Sequence, residues 1–256
     1  MTDDLELAAE LVRDAGRLAA RMLRNGLDTY RKSSVSDVVS AADHAAEQLV
    51  VSRLRTARPA DGVVGEEGTD HPGERTWFID PVDGTYNFLS GLPFWCSAIA
   101  LAERSGPDAA WTPVLGAVYH PFADELWLGG LDHRTSCNGT PVTPLSDSPL
   151  SELSLASYLH PATLPDEDAR DPLLAALTGA ATVRMLGSGS VELAAVAGGR
   201  LGAWVQRNTL EWDWLPGAAL VQAAGGSTEI LEHRGNRWHI AGNRLAVAEI
   251  AALLRA

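Results

Sequence analysis

The sequence predicts an α/β fold. Residues 3–24 carry apolar side chains at helical spacing, which predicts an amphipathic helix at the start of the chain. Short apolar runs, such as residues 77–79 and 114–119, predict buried strands. From about Leu153 onward, predicted strands alternate with predicted helices, a pattern that is typical of α/β proteins.

Length and composition are those of an ordinary globular protein. The 256 residues include 46% hydrophobic and 21% charged side chains, so the chain can bury a full core in one large domain or two closely packed ones. The stretch 141–153 is rich in proline and serine, which favours a boundary between subdomains. We predict an α+β subdomain over residues 1–145 and an α/β subdomain over residues 146–256.

Charge and cysteine content narrow the possible function classes. The formal net charge is −13 and no basic stripe occurs, which argues against nucleic acid or an anionic membrane as the main partner. The first residues lack a signal-peptide pattern, and no apolar run is long enough to cross a bilayer. Cys96 and Cys137 do not have the spacing of a thiolate zinc site or a disulfide framework. We therefore expect a cytoplasmic protein.

The first part of the chain predicts two helices. The amphipathic helix is expected to close near Asn25, and its apolar face belongs to the core. Ser40 and Asp43 form an S-x-x-D capping box, which predicts a second helix to about Leu54. Capping alone would explain Asp43.

An acidic turn follows the predicted strand at residues 77–79. Pro81 cannot donate a hydrogen bond to a sheet ladder, so we expect the strand to end at Asp80. Asp80 and Asp83 then share the turn, and carboxylates this close repel each other unless a cation lies between them. Oxygen ligands on a tight loop suit a hard divalent ion such as Mg2+. Asp-Pro and Asp-Gly neighbours are also common turn chemistry, which alone would explain Asp80.

The residues after this turn predict an anion site. Thr85 is expected to cap a short helix that runs into Asn87 and Phe88. The N–H groups of Gly84 and Thr85 would then be available to hold an anion. A cation site and an anion site on one turn suggest a phosphate ester held against a metal ion.

The rest of the chain predicts hairpins and then alternating elements. Residues 114–119 and 125–128 predict a hairpin pair. Residues 187–190 lie at a strand-to-helix switch, where ligands bind in α/β folds, but they lack the spacing of a dinucleotide fingerprint or a P-loop. Asp213 is expected at the N-cap of a helix that carries Pro216 in its first turn.

Two motifs resemble those of the inositol monophosphatase family. The run from Asp80 to Phe88 reproduces the family motif D-P-[hydrophobic]-D-G-T-x-N-F. The segment from Trp212 to Gly226 resembles the second motif, W-D-x-[AG]-[AG]-[GA] followed by an apolar helix and A-G-G, although Leu215-Pro216 departs from its small residues. The likeness extends from the first helix to the end of the chain. It implies the layered αβαβα sandwich of inositol monophosphatase and fructose-1,6-bisphosphatase.

The resemblance also implies the active-site residues of a phosphomonoesterase with about two to three Mg2+ ions per site. The metal ligands would be Glu66, Asp80, the backbone carbonyl of Val82, Asp83 and Asp213. Catalytic roles would fall to Glu66, Thr85 and Asp83, and Gly84 with Thr85 would bind the phosphate. The substrate ring would contact Gly187, Ser188, Gly189 and Gln206. Behind the ligands would lie Lys32, Asp43 and Glu67.

The substrate stays open at this point. Family members that prefer inositol phosphate carry Glu at the position of Gln206, whose amide adds a donor and lacks the charge. We expect an inositol 1-phosphate-like polyol or sugar phosphate, with histidinol phosphate or a 3′-phosphoadenosine-type nucleotide as alternatives. A catalytically silent interaction protein would belong to a different class, but such a copy would be expected to have lost ligands. Relatives usually form dimers, so a homodimer is expected.

Overall fold

Helices and strands follow one another along the whole described part of the chain. The structure is a computed structural model that describes residues 3–25 and 41–256 with their side chains, and the backbone of residues 29–31 and 38–40. The helices are α1 (Asp4–Asn25), α2 (Ala41–Ala57), α3 (Thr85–Leu89), α4 (Glu167–Thr178), α5 (Gly189–Ala197), α6 (Glu211–Ala223) and α7 (Arg244–Leu254). The strands are β1 (Thr29–Arg31), β2 (Val38–Ser40), β3 (Gly62–Gly65), β4 (Asp70–His71), β5 (Arg75–Asp83), β6 (Cys96–Glu103), β7 (Thr112–His120), β8 (Glu125–Gly130), β9 (His133–Cys137), β10 (Thr140–Pro141), β11 (Ser154–Ser157), β12 (Thr182–Arg184), β13 (Ala203–Arg207), β14 (Ser227–His233) and β15 (Asn236–Gly242).

Two large sheets and three helical layers alternate, and β1 pairs with β2 in a separate two-stranded sheet. The larger sheet has the strand order β10-β9-β8-β7-β6-β5-β3-β4, and the smaller has the order β12-β11-β13-β15-β14. Helices α1 and α2 cover the outer face of the larger sheet, and α5 and α6 lie between the two sheets. Helices α4 and α7 cover the outer face of the smaller sheet. The predicted αβαβα sandwich is confirmed.

The apolar pattern of each helix matches its layer. Helix α1 buries one stripe at helical spacing, including Leu7, Leu11 and Ala15, against α2 and the sheet, as an outer helix should. Helix α6 buries every residue from 214 to 221, because it has a sheet on each side. Both predicted N-terminal helices are confirmed, whereas the Ser40 side chain of the predicted capping box lies outside the described residues.

Strand β5 does not end at Asp80, so that expectation is wrong. It continues through Pro81 to Asp83, and its register with β6 shifts between Asp80 and Asp83. The missing N–H of Pro81 is tolerated because it falls where the ladder is irregular. The Pro81 carbonyl instead accepts a hydrogen bond from the Ser97 hydroxyl at 2.6 Å.

Tight turns join the antiparallel strands. The predicted hairpin of β7 and β8 is confirmed. A second hairpin, β14 with β15, was not predicted. Its turn holds Arg234 and Gly235 at φ values of 49° and 70°, and Arg-Gly is a weaker turn signal than Asn-Gly.

The predicted boundary near residue 145 stays a prediction. The larger sheet ends at Pro141 and the smaller begins at Ser154. However, α6 from the second half packs directly on β6 and β7 of the first. The two halves of the sequence therefore share one central layer.

The close contact between β7 and α6 in this central layer predicts how one substitution will affect stability. A Cβ atom on Gly116 of β7 would lie 2.1 Å from the Pro216 carbonyl oxygen of α6. Backbone atoms cannot move aside cheaply, so we expect Gly116→Ala to lower the free energy of unfolding by more than about 2 kcal/mol in urea denaturation. Gly106→Ala is the matched control, because its Cβ would meet open space, and it should change this free energy by less than about 0.5 kcal/mol. Equal effects of the two substitutions would contradict the close packing.

Candidate active site

Three carboxylates from two parts of the chain meet at the end of β5. Asp80 and Asp83 stand on the irregular end of that strand, and Asp213 comes from the first turn of α6. One oxygen atom from each lies within 4.8 Å of the others. The central position of α6 brings Asp213 to the larger sheet, although 130 residues separate it from Asp83 in sequence (213 − 83).

Asp80 is the most constrained of the three. Its side chain is 1% exposed, and its Oδ1 accepts the Val82 N–H at 3.0 Å. Its Oδ2 is buried and has no hydrogen-bond partner within the part of the chain that the structure describes. Burial raises the pKa of Asp80 well above its ordinary value, and the nearby charges of Glu66, Asp83 and Asp213 raise it further.

The pKa values of Asp83 and Asp213 are also raised, and the groups around each carboxylate affect the two shifts differently. Burial raises the pKa of Asp83, but hydrogen bonds from residues 188–190 oppose the shift, including one from the Ser190 N–H at 2.5 Å. Burial and the charge of Asp83 raise the pKa of Asp213 to about 7. The arrangement is therefore costly to fold with all three groups ionised.

Glu66 lies beside this cluster. It follows β3 directly, and its N–H donates to the Ile79 carbonyl of β5 at 3.2 Å. Its charge raises the pKa of Asp80, which places it near that carboxylate. It is not among the residues whose oxygen atoms fall within 4.8 Å of one another.

Thr85 does not cap α3, so that expectation is wrong. The N-cap is Gly84, with φ at 93°, and Thr85 is the first residue of the helix. The left-handed conformation favours glycine, and a Cβ on Gly84 would also lie 2.9 Å from the Phe94 carbonyl oxygen. The Thr85 hydroxyl instead donates to the carbonyl of Val82 at 3.1 Å, so the turn holds together the predicted ligand carbonyl and the predicted catalytic hydroxyl.

Asp213 is not an N-cap either. Helix α6 begins at Glu211 after Leu210, so Asp213 is the third residue of its first turn. Pro216 is consequently the sixth residue and lies inside the helix instead of in its first turn. The helix nonetheless continues to Ala223 through the central layer.

The residues predicted to contact the substrate ring come together on one side of the cluster. A Cβ on Gly189 would lie 3.9 Å from the Asp213 carbonyl oxygen and 4.0 Å from Oε1 of Gln206. Gly187 has φ at 84°, and its carbonyl oxygen would lie 3.1 Å from a Cβ on Gly84. Ser188 is buried, and its hydroxyl caps α5 by accepting the Val191 N–H at 3.4 Å.

The residues predicted behind the ligands lie partly on α2. Asp43 is fully buried there, and its charge contributes to the raised pKa of Asp80. Glu67 has its Oε2 3.4 Å from Nδ1 of His44. Lys32 lies outside the described residues.

Glu47 is a site residue that the sequence did not reveal. Its buried carboxylate accepts the Glu67 N–H at 2.7 Å, the Thr69 N–H at 3.1 Å and the Thr69 hydroxyl at 2.7 Å. These bonds fix the turn that carries Glu66. The available signal was its position four residues after Asp43, which puts both acids on one face of α2.

Comparison with known proteins identifies the family. A model described as the inositol monophosphatase family matches residues 1–254. The chain belongs to this family. Inositol monophosphatase 3 of Solanum lycopersicum is 31% identical over 261 residues, which cover 94% of this chain and 90% of that protein. Nus factor SuhB of Xylella fastidiosa is 31% identical over 226 residues, which cover 87% of this chain and 80% of that protein.

Solved structures agree with this membership. The extragenic suppressor protein suhB of Bartonella henselae matches with a TM-score of 0.85 and 28% identity, and the match covers 97% of each chain. The IMPase of Thermotoga maritima matches with a TM-score of 0.84 over 99% of this chain and 97% of that chain. Its identity is 24%, so this second likeness concerns the fold.

The residues present fit the metal dependence of the inositol monophosphatase family. The cluster offers only oxygen atoms, which hard divalent cations such as Mg2+ prefer. The buried Oδ2 of Asp80 lacks a donor among the described residues, and a cation would satisfy it.

No helix in the described part of the chain has the length and apolar character needed to span a membrane.

The raised pKa values predict how the metal-free protein responds to pH. Between its unfolded and folded pKa, each raised carboxyl holds a proton only in the folded state, so stability falls as pH rises. These windows are 3.8 to about 7 for Asp213 and 4.5 to about 8 for the buried Glu192. His239, whose pKa burial lowers from 6.5 to about 4, acts in the opposite direction, but only below pH 6.5.

In EDTA, we therefore expect Tm to fall by about 3–8 °C between pH 6.5 and pH 8. Differential scanning calorimetry at constant ionic strength measures this change. Saturating Mg2+ should reduce the fall, because a bound cation favours the ionised carboxylates. A Tm that stays constant or rises over this range in EDTA would show that these groups are not held in the way described.

Proposed function

We propose that this protein hydrolyses a small phosphate monoester with the help of Mg2+, and that an inositol 1-phosphate-like polyol or sugar phosphate is its first candidate substrate. One observation carries the proposal. The cluster of Asp80, Asp83 and Asp213 adjoins both the Gly84-Thr85 turn and the residues around Gly189 and Gln206. A metal site, a phosphate site and a wall for the rest of the ester would thus lie side by side.

The roles of the side chains follow from their positions. Bound Mg2+, at about two to three ions per site, would neutralise the phosphate and make water more acidic. The ions would be held by Glu66, Asp80, the Val82 carbonyl, Asp83 and Asp213.

Residues at the turn after β5, together with Glu66, would orient the attacking water and bind the phosphate. Glu66 and the Thr85 hydroxyl would orient the attacking water, and Glu66 would accept its proton as the new P–O bond forms. The bond to the alcohol would break at the same phosphorus atom, and a second water at the metal site would protonate the departing alkoxide. The N–H groups of Gly84 and Thr85 have no carbonyl four residues back within α3, so they would be available to phosphate oxygens.

The residues beside the cluster, Gly189 and Gln206, give information on which substrate the site would prefer. Gln206 offers an uncharged amide next to Gly189, where the missing side chain leaves room. An amide binds ring hydroxyls but gives no charge to pair with an ammonium group, which ranks a polyol phosphate above histidinol phosphate. A 3′-phosphoadenosine-type nucleotide is a further candidate. SaIMPase-II, which has this fold at 23% identity and a TM-score of 0.74, has been solved with 2′AMP bound.

A second candidate belongs to a different class. The relatives carry two kinds of name, since some are called inositol monophosphatase and others Nus factor SuhB. A catalytically silent interaction protein would therefore be an alternative. The presence of Glu66, Asp80, Asp83 and Asp213 supports catalysis instead, because a silent copy would not need the full set of carboxylates, two of which, Asp80 and Asp83, are buried at a cost. We also infer a cytoplasmic homodimer that binds neither nucleic acid nor membrane.

Phosphate release from a small panel of esters tests the proposal. The panel is inositol 1-phosphate, histidinol phosphate, 3′-phosphoadenosine 5′-phosphate and fructose 1,6-bisphosphate, each assayed with Mg2+ and with EDTA. We expect inositol 1-phosphate to be the best substrate and EDTA to abolish release. A preference for the second or third ester would replace the substrate assignment, and activity that survives EDTA would refute the metal-dependent reaction.

Asp83→Asn tests the central ligand. The amide oxygen can still accept the Ser190 N–H, so the fold should survive, but the charge that a cation requires is lost. We expect at least about a thousandfold loss of kcat, on the order of 4 kcal/mol of barrier, with Tm within a few degrees of wild type. Asp132→Asn, on the exposed turn before β9, is the matched control and should leave kcat unchanged. Substantial residual turnover in Asp83→Asn would remove Asp83 from the mechanism.

A further inference from the structure

Glu192 is a buried acid that the proposed reaction does not use. It lies on α5, whose other buried residues are small or apolar, and it is 1% exposed. No Lys or Arg of the described residues forms an ion pair with it. Burial raises the pKa of Glu192 to about 8, and the charge of Asp83 adds to the shift. Burying a leucine at this position would cost less free energy than burying a carboxylate. The carboxylate therefore indicates a specific role for Glu192.

One oxygen of Glu192 fixes the turn beside the metal cluster. Oε1 accepts the Leu186 N–H at 2.6 Å, and the Leu186 carbonyl accepts Nδ2–H of Asn87 at 2.7 Å. The peptide groups on both sides of Leu186 are therefore tied down, one to α5 and the other to α3. The chain then passes through Gly187, close against Gly84, and donates the Ser190 N–H to Asp83.

The other oxygen of Glu192 connects it through Trp204 to α6, the helix that carries Asp213. Oε2 accepts Nε1–H of Trp204 at 3.0 Å. The Trp204 ring stacks on that of Trp214, with centroids 5.7 Å apart and an angle of 26° between the planes. Trp214 follows Asp213 directly in the first turns of α6. A single carboxylate thus joins the turn that holds Asp83 to the ring of Trp214, the residue that follows Asp213 on α6.

We propose that Glu192 is a positioning residue that sets the location of Asp83 relative to Asp213 and thereby the affinity of the site for divalent cations. The inference deepens the proposed function and rests on it in one respect, namely that these carboxylates hold metal. Glu192 is not among the carboxylates of the described residues whose oxygen atoms lie within 4.8 Å of one another. The ionised carboxylate of Glu192 keeps two donors at fixed positions, which an isosteric amide cannot do because it has one acceptor and would direct its NH2 group at the other N–H.

Glu192→Gln tests the proposal, with Mn2+ as the probe. Isothermal titration calorimetry of metal-free protein should give a Kd for Mn2+ at least tenfold higher than that of wild type. Amide hydrogen exchange at Leu186 in the metal-free protein should be at least tenfold faster. Above pH 8, where Glu192 is ionised, Tm should change little, because the substitution also removes a buried charge.

Glu249→Gln is the matched control. Glu249 also uses a carboxylate oxygen to accept a backbone N–H, that of Leu150, at 2.6 Å, but it does so on α7, away from the cluster. This variant should bind Mn2+ within twofold of wild type. Should Glu192→Gln fail to fold, Trp204→Phe removes one of the two donors while keeping a ring against Trp214, and it should raise the Kd at least threefold.

The outcomes separate this inference from the proposed function. Mn2+ binding within twofold of wild type in a folded Glu192→Gln overturns the positioning role, even if exchange at Leu186 becomes faster. A wild-type protein that does not bind Mn2+ contradicts both the inference and the metal site. Normal Mn2+ binding without hydrolysis of any ester refutes the proposed reaction and leaves the effect of Glu192 on Mn2+ affinity measurable.

Discussion

The mutual repulsion of three closely spaced carboxylates, two of them buried, is the constraint on which the rest of this structure depends. Burial raises the pKa of Asp80, Asp83 and Asp213, and the charges of neighbouring carboxylates add to the shifts of Asp80 and Asp213. Folding brings them together only because other features hold them. Strand β5 is irregular where the first two stand, and α6 carries the third across to the larger sheet. The packing of the fold therefore stabilises an arrangement that is locally unfavourable without a cation.

The central layer makes this arrangement possible. Helix α6 is buried on all sides and touches both sheets, so it has little freedom to retreat from Asp80 and Asp83. The absence of a side chain at Gly116 lets the α6 backbone approach β7 closely at Pro216. Neither half of the sequence would form the cluster alone, because its ligands come from strands and helices on both sides of the predicted boundary.

Much of the fold and the site could be predicted, and each failure has a local cause. The motif around Asp80 and Asp83 identified the turn, yet the sequence suggested a helix capped by Thr85. Threonine is favoured at N-caps with extended backbone, but the N-cap of α3 has a left-handed backbone. Glycine adopts this conformation easily, so Gly84 takes the position instead of Thr85. Asp213 was misplaced at a cap for a similar reason. Glu66 directly follows β3, but spacing along the chain cannot determine its distance from the other carboxylates.

Glu192 could not have been predicted, and the reason bears on how such sites are built. Its partners are the N–H of Leu186, six residues earlier, and the indole of Trp204 on β13. Neither partner produces a recognisable pattern in the sequence. A ligand can be found from its motif because its chemistry requires a particular residue type. A residue that holds a ligand in place needs only a fold that supplies donors at the right distance. Preorganisation of this kind lowers the cost of binding a cation, since the carboxylates are already together before it arrives. The same preorganisation keeps the repulsion in the metal-free state, so stability and metal affinity are two measures of one arrangement.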